Sequence, residues 1–183
     1  MGRKLCLNQI MKGANMYQVG EHVLYGLHGV CKIEAIEGKK FDDEIHDYYI
    51  LKPVFDHGST IFVSTKKEAL VAKMIPILSA EDILNLIDTL TDSECFWIEN
   101  EAERKGQFKL IIEGADRNKQ LGILKAYLLH KMKLISMKRK MHTGDEMLLK
   151  NVEKRIFEEF AFVLNKSKDE LATDLYQKIG YLL

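Results

Sequence analysis

The chain has 183 residues, of which 46% are hydrophobic and 30% are charged, and its 27 basic residues balance its 27 acidic ones. This composition is typical of a globular protein, and no apolar run approaches the about 20 residues of a membrane helix, which argues against a membrane protein. The three cysteines, Cys6, Cys31 and Cys95, are far apart and lack metal-site spacing, so we expect no disulfides and a reducing cytoplasmic setting.

The first 15 residues are a basic leader that we expect to lie outside the fold. The leader has no long apolar core and no small-residue cleavage site, so it does not match a secretory signal. Codons for Lys12-Gly13-Ala14 can form a purine-rich ribosome-binding site just before Met16. We therefore hypothesise that translation starts at Met16.

The zero net charge conceals a strong segregation of charge along the chain. Residues 79–103 carry eight acidic and no basic residues, whereas residues 104–155 carry fourteen basic and five acidic residues. Two interpretations remain open: charge runs often mark solvated helix faces, but a basic stretch can also mark a nucleic-acid footprint.

The spacing of apolar residues changes near Ser79, from alternation to a helical period. Before Ser79, short alternating runs are separated by turn residues, and Gly26 and Gly29 permit the positive φ of a tight turn between the first two runs. Four or five short strands with tight connections predict a small SH3-like or Tudor-like β-barrel, which we place at residues 16–76.

One aromatic residue in this module has two possible roles. On the fourth predicted strand Ile61 and Val63 share one face, so Phe62 points to the other face. Phe62 is therefore either an exposed anchor for a binding partner or part of a second core.

After Ser79 the helical period continues to the end, and we assign residues 77–183 to an all-α bundle of about five helices. The fold class is thus α+β, with a small N-terminal barrel followed by a helical bundle. The predicted core stripes are Ile83, Leu86, Ile87 and Leu90; Leu121, Leu124, Leu128, Met132 and Ile135; Leu148, Val152, Ile156 and Phe160; and Leu171, Leu175 and Ile179.

Capping signals mark the starts of several of these helices. Ser79–Asp82 resembles a capping box, and Thr143–Glu146 and Ser167–Glu170 match it fully. A further helix between Asp92 and Gly114 is expected to carry the only tryptophan, Trp97.

The motifs of common enzyme classes are absent from the sequence. There is no phosphate-binding glycine loop, no nucleophile elbow and no pair of histidines spaced for a metalloenzyme helix. His46 and His57 flank one predicted strand, but two imidazoles are too few for a metal site. We expect no catalysis, no cofactor, no metal and no small-molecule substrate.

Four short motifs occur in a characteristic order: Val19–Tyr25 (VGEHVLY), His28–Val30 (HGV), Ile33–Glu37 (IEAIE) and Tyr48–Lys52 (YYILK). This set resembles the opening of the CarD/CdnL family of bacterial transcription regulators. The likeness continues through Trp97, Glu113–Asp116 and Thr143–Leu148 into the last helices. The β module also resembles the polymerase-binding part of transcription-repair coupling factors, but the motor motifs of a translocase are absent from the sequence.

The resemblance implies that the Tudor-like module grips the RNA polymerase β subunit and that the helical domain touches promoter DNA. The residues expected to bind polymerase are Lys39, Tyr49, Phe62 and Val63.

The resemblance also implies a role for the only tryptophan. In the family a tryptophan wedges at the upstream edge of the melted promoter bubble, a role that falls on Trp97, whose alternative role is that of a core residue. The cations expected to meet DNA phosphates are Arg104, Lys105 and Lys109.

Two functional hypotheses follow from these observations. The first is a cytoplasmic, nucleoid-associated regulator that binds polymerase and stabilises the open promoter complex with little base specificity. The second is a protein-only adaptor whose Tudor-like module binds a protein partner without DNA contact.

Overall fold

A computed structural model of the chain describes residues 17–41, 44–91, 95 and 97–181. The leader and the hypothetical start at Met16 lie outside these residues. The strands are β1 (His22–Tyr25), β2 (Val30–Phe41), β3 (Glu44–Pro53), β4 (Ile61–Ser64) and β5 (Met74–Pro76). The helices are α1 (Glu68–Val71), α2 (Ala80–Asp88), α3 (Glu101–Glu113), α4 (Arg117–Ser136), α5 (Thr143–Leu164) and α6 (Lys168–Ile179).

The β module is one antiparallel sheet with strand order β4-β3-β2-β1-β5. A 3₁₀ turn at Gly26–His28 joins β1 to β2, and Gly26 and Gly29 adopt φ values of +52° and +74°. The two glycines therefore supply the tight turn that the sequence predicts. The sheet followed by helices confirms the α+β fold class, while the division between residues 76 and 77 stays a prediction.

The core of the β module contains two of the residues expected to bind polymerase. Tyr49 and Val63 are paired across β3 and β4 and are 1% and 0% exposed. Their side chains pack with Val23, Ile33 and other buried residues of the sheet. Because both are interior, they support the strand that carries Phe62 instead of offering a contact surface of their own, which differs from the expected role.

The helical bundle confirms most of the predicted stripes. Every member of the α5 and α6 stripes is buried, as are Ile83 and Leu90, the first and last members of the first stripe. Ile135, near the end of α4, is the exception, with 59% of its surface exposed. The predicted stripe is therefore longer than the face that α4 buries.

Two local expectations about helix starts are wrong. Trp97 lies before the first residue of α3, which begins at Glu101 because the Asn100 side chain caps it by accepting from the Glu103 amide. Helix α5 has His142 at its N-cap position with no side-chain cap, so Thr143 is already the first helical residue. The capping boxes at Ser79 and Ser167 behave as predicted: both hydroxyls accept from an amide three residues later.

The two modules meet through ion pairs and hydrogen bonds on α4 and α5. Arg117 donates to both carboxylate oxygens of Glu159, at 2.9 and 2.8 Å, and to the carbonyl of Pro76 at 3.0 Å. Glu159 also accepts from the amide of Leu78 at 3.0 Å. These contacts tie the end of the sheet to the bundle and set the direction in which α2 leaves it.

A second contact between the modules involves α5 and the β1–β2 turn. Arg155 donates to the carbonyls of Gly26 and Gly114, at 2.7 and 3.0 Å. Glu158 is buried against Gly29, and its Oε2 accepts no hydrogen bond from the described residues. Burial raises the pKa of the Glu158 carboxyl, because the charged form is poorly solvated there.

Candidate nucleic-acid interface

Trp97 lies in the segment leading into α3, and its indole packs into a cluster of rings. His130 of α4 stacks on it, with ring centres 3.9 Å apart and planes 14° from parallel. Phe108 and Tyr127 approach edge-to-face, with centre distances of 6.4 and 5.5 Å. The indole is half-buried and borders the bundle core. The fold therefore holds one side of Trp97 while another part stays accessible.

A buried ion pair lies next to this indole. Arg104 and Asp145 are 4% and 1% exposed, and the Arg104 Nε and Nη2 atoms donate to the two carboxylate oxygens at 3.1 and 2.7 Å. The Tyr127 hydroxyl donates to the same carboxylate at 3.2 Å. Burial alone would raise the pKa of Asp145, but the hydrogen bonds and charge of Arg104 hold it below its ordinary value.

The same guanidinium also contacts the Trp97 segment. Its Nη1 donates to the carbonyls of Ile98 and Glu99, at 2.6 and 3.2 Å, and its Cζ lies 4.3 Å from the centre of the indole ring. The sequence predicts that Arg104 meets DNA phosphates. Its donors are instead directed into the protein, so the structure gives this residue a different position from the expected one.

The other two predicted cations differ from each other. The Lys105 ammonium pairs with Glu101 one helical turn earlier, and its side chain lies across the backbone of Gly144, where a Cβ would overlap it. Lys109 is exposed on the next turn of α3. Of the three predicted phosphate contacts, Lys109 is therefore the most accessible to a DNA phosphate.

A cleft of about 330 Å³ opens beside Trp97 and brings together cations that the sequence does not single out. Lys133, Arg139 and Lys140 line it from the end of α4 and the connection to α5, and all three are exposed. His130 and His142 line it as well. Three adjacent cations, Lys138-Arg139-Lys140, are visible in the sequence, but no sequence signal places them near Trp97.

The electrostatics of the cleft are mainly cationic. Glu99, Glu101 and Asp145 also line it, but Glu101 and Asp145 pair with Lys105 and Arg104. Within the described residues, the ammonium and guanidinium groups of Lys133, Arg139 and Lys140 have no ion-pair partner within 4.0 Å. Burial, and next the charge of Arg104, lower the pKa of His130, whose ring stacks on the indole.

On the β module, the outer face of β4 carries Phe62 with 43% of its surface exposed. The exposed position agrees with the anchor interpretation. Lys39 lies on β2, and its ammonium pairs with Glu37 at 2.8 Å while 38% of the side chain stays exposed. Of the four residues expected to bind polymerase, Phe62 and Lys39 are thus at the surface.

Comparison with known proteins gives a family match for the β module. Residues 17–75 match the family model of the CarD-like/TRCF RID domain. Over 73 residues the chain is 30% identical to "Putative transcription factor YdeB" of Bacillus subtilis (strain 168), an alignment that covers 39% of this chain and 47% of that protein. The chain thus spans about half the length of this curated relative. Residues 17–75, which contain the β module, thus match a CarD-like domain, and this match confirms the resemblance seen in the motifs.

Membrane helices and metal clusters are both absent from the described part of the chain. Among these residues no helix is both long enough and apolar enough to cross a bilayer. The same residues contain no group of three or more histidine, cysteine or acidic side chains arranged to hold a metal ion.

Proposed function

We propose that this protein is a non-enzymatic transcription regulator of the cytoplasm that binds the RNA polymerase β subunit through its β module. The match of residues 17–75 to the CarD-like/TRCF RID domain supports this half of the proposal. Contact with polymerase would rest on the exposed ring of Phe62, assisted by Lys39, with Tyr49 and Val63 shaping the strand from inside.

We further propose that the helical domain binds promoter DNA at the upstream edge of the bubble. The protein would then be associated with the nucleoid. The observation that carries it is the cleft in which Trp97 lies beside Lys133, Arg139 and Lys140. Cations bind phosphates of any sequence, and an aromatic ring can stack on an unpaired base for about 1–3 kcal/mol. This combination favours a melted junction over an intact duplex and needs little base specificity.

A fluorescence titration with forked and intact DNA tests this half. Trp97 is the only tryptophan, so the emission reports on this indole alone. We expect forked DNA to quench it and intact duplex of the same sequence to leave it nearly unchanged. Reversing Lys133, Arg139 and Lys140 to glutamate should weaken binding and lower the slope of log K against log salt by about 0.7–0.9 for each phosphate that the variant no longer neutralises.

The matched control reverses three exposed cations of the β module, Lys66, Lys67 and Lys73, and changes the net charge equally. If this variant loses affinity as much as the cleft variant does, overall charge and not the cleft governs binding. Equal quenching by forked and intact DNA would contradict recognition of a melted junction.

One observation favours the protein-only adaptor as a second candidate. Two of the predicted phosphate contacts, Arg104 and Lys105, pair with acidic residues of their own chain. An adaptor would bind polymerase through the β module and show no change in Trp97 emission with either DNA.

A further inference from the structure

We infer that Arg104 and Asp145 are positioning residues that fix Trp97 in its DNA-binding conformation, a role that rests on the proposed function. These two residues hold the indole, and other residues touch DNA. Their ion pair is buried and lies within the basic region of the sequence.

The guanidinium of Arg104 connects three parts of the fold. Arg104 lies on α3 and binds Asp145 of α5 through two hydrogen bonds, while Nη1 donates to the carbonyls of Ile98 and Glu99. One planar group therefore links two helices to the backbone that immediately follows Trp97. Few side chains can make this connection, because it requires several donors in a fixed fork.

The same guanidinium and a neighbouring tyrosine also contact the indole itself. The guanidinium carbon lies 4.3 Å from the indole centre, and Tyr127 both bonds Asp145 through its hydroxyl and packs its ring at 5.5 Å from Trp97. The carboxylate of Asp145 therefore fixes two of the groups that surround the indole. Removing it would release both groups together.

The burial of Arg104 distinguishes its positioning role from a phosphate contact. Arg104 is 4% exposed and its partner Asp145 is 1% exposed, so turning the guanidinium toward DNA would leave a buried carboxylate unpaired. The exposed Lys133, Arg139 and Lys140 offer charges in the same cleft without that penalty. Substitution of the buried Arg104 should consequently affect DNA binding differently from substitution of the exposed cations.

The test is the charge-preserving substitution Arg104→Lys. Lysine keeps a positive charge for phosphate but cannot bond both Asp145 and the two carbonyls. We expect the emission of Trp97 to shift to longer wavelength in the free protein, and affinity for forked DNA to fall by about tenfold. The slope of log K against log salt should stay at the wild-type value, since the cations that neutralise phosphates are unchanged.

The matched control is Arg117→Lys, which makes the same change in another buried arginine–carboxylate pair, that with Glu159. Arg117 is not among the residues that line the cleft, so this variant should leave the emission of Trp97 and its quenching by forked DNA as in the wild type. Comparable thermal unfolding of the two variants would show that general destabilisation does not explain the difference.

A wild-type emission spectrum together with wild-type affinity in Arg104→Lys would overturn the inference. So would a lower salt slope in Arg104→Gln with an unchanged spectrum, which would identify a phosphate contact. If Arg104→Lys does not fold, Tyr127→Phe removes the hydroxyl bond to Asp145 and keeps the ring. An unchanged emission in that variant would also count against the positioning role. Should the wild type fail to bind forked DNA, the proposed function fails, while the emission shift in the free protein still tests whether Arg104 positions Trp97.

Discussion

Gly29 lies where the β module meets α5, and its backbone faces the carboxylate of Glu158. Its φ of +74° and ψ of −146° fall in a region that essentially only glycine occupies. A Cβ at this position would also overlap Glu158 Oε2. Both the backbone conformation and the space thus require glycine at this contact between modules.

Gly29→Ala should therefore lower the free energy of unfolding by at least about 3 kcal/mol, the sum of backbone strain and displacement of Glu158. Gly26→Ala is the control, because Gly26 also has positive φ but nothing lies within 4 Å of its Cβ position. We expect it to cost about 1–2 kcal/mol. Urea denaturation of both variants measures the difference.

The steric part can be isolated with Glu158→Ala as the background. There, Gly29→Ala should cost only the strain, about 1–3 kcal/mol. An equal cost in both backgrounds would mean that Glu158 moves aside freely.

The sequence predicts a DNA-contacting role for Trp97, but it does not predict which residues hold the indole in place. Arg104 belongs to a basic block, and a charge count treats it like the exposed lysines around it. Its partner Asp145 is 41 residues away, and pairing over that distance leaves no trace in periodicity or spacing. Burial of a charged residue depends on such a partner, so it becomes evident only in the folded chain.

The helices show which local signals are sufficient by themselves. Ser167 and Glu170 form a complete capping box, in which the hydroxyl accepts from one amide and the carboxylate from the other. The Thr143–Glu146 sequence has the same pattern, yet α5 begins one residue earlier because the His142 carbonyl accepts from the Glu146 amide. The motif alone does not fix which residue is the N-cap.

Ser167→Ala should thus destabilise the protein by about 1 kcal/mol, since it leaves an amide at the start of α6 without its acceptor. Thr143→Ala should change stability by no more than a few tenths of a kcal/mol, because Thr143 is exposed and caps nothing in α5. Thermal unfolding of the two variants compares them directly. A loss of stability in Thr143→Ala as large as that in Ser167→Ala would show that Thr143 caps α5.

Strand and helix order are also predictable from the sequence, for a physical reason. Apolar alternation and the helical period reflect which face of each element is buried, and both modules bury continuous faces. The sequence pattern nevertheless predicts a helix that includes Trp97, whereas the Asn100 cap begins α3 only after the tryptophan. Placing this residue in a segment before the helix is what allows Arg104 to bind the carbonyls that follow it.

In the whole molecule, the fold brings acidic and basic residues from different parts of the sequence together around the cleft. The acidic Glu101 and Asp145 neutralise Lys105 and Arg104, so the charge that remains around the cleft comes from the end of α4 and the segment after it. The two modules are joined by Arg117, Glu159 and Arg155, which bond backbone carbonyls and amides on both sides. This joint would let a polymerase-bound β module present Trp97 at a defined position.

The proposed function is best tested by the lifetime of an open promoter complex after addition of a competitor that traps free polymerase. We expect the wild-type protein to extend this lifetime, and Trp97→Ala to shorten it by about tenfold while still binding polymerase. Phe62→Ala should lose the effect through weaker polymerase binding, and Val19→Ala, another exposed apolar residue of the β module, should retain it. A lifetime that is the same with the wild-type protein, with Trp97→Ala and without any added protein would contradict the proposed function.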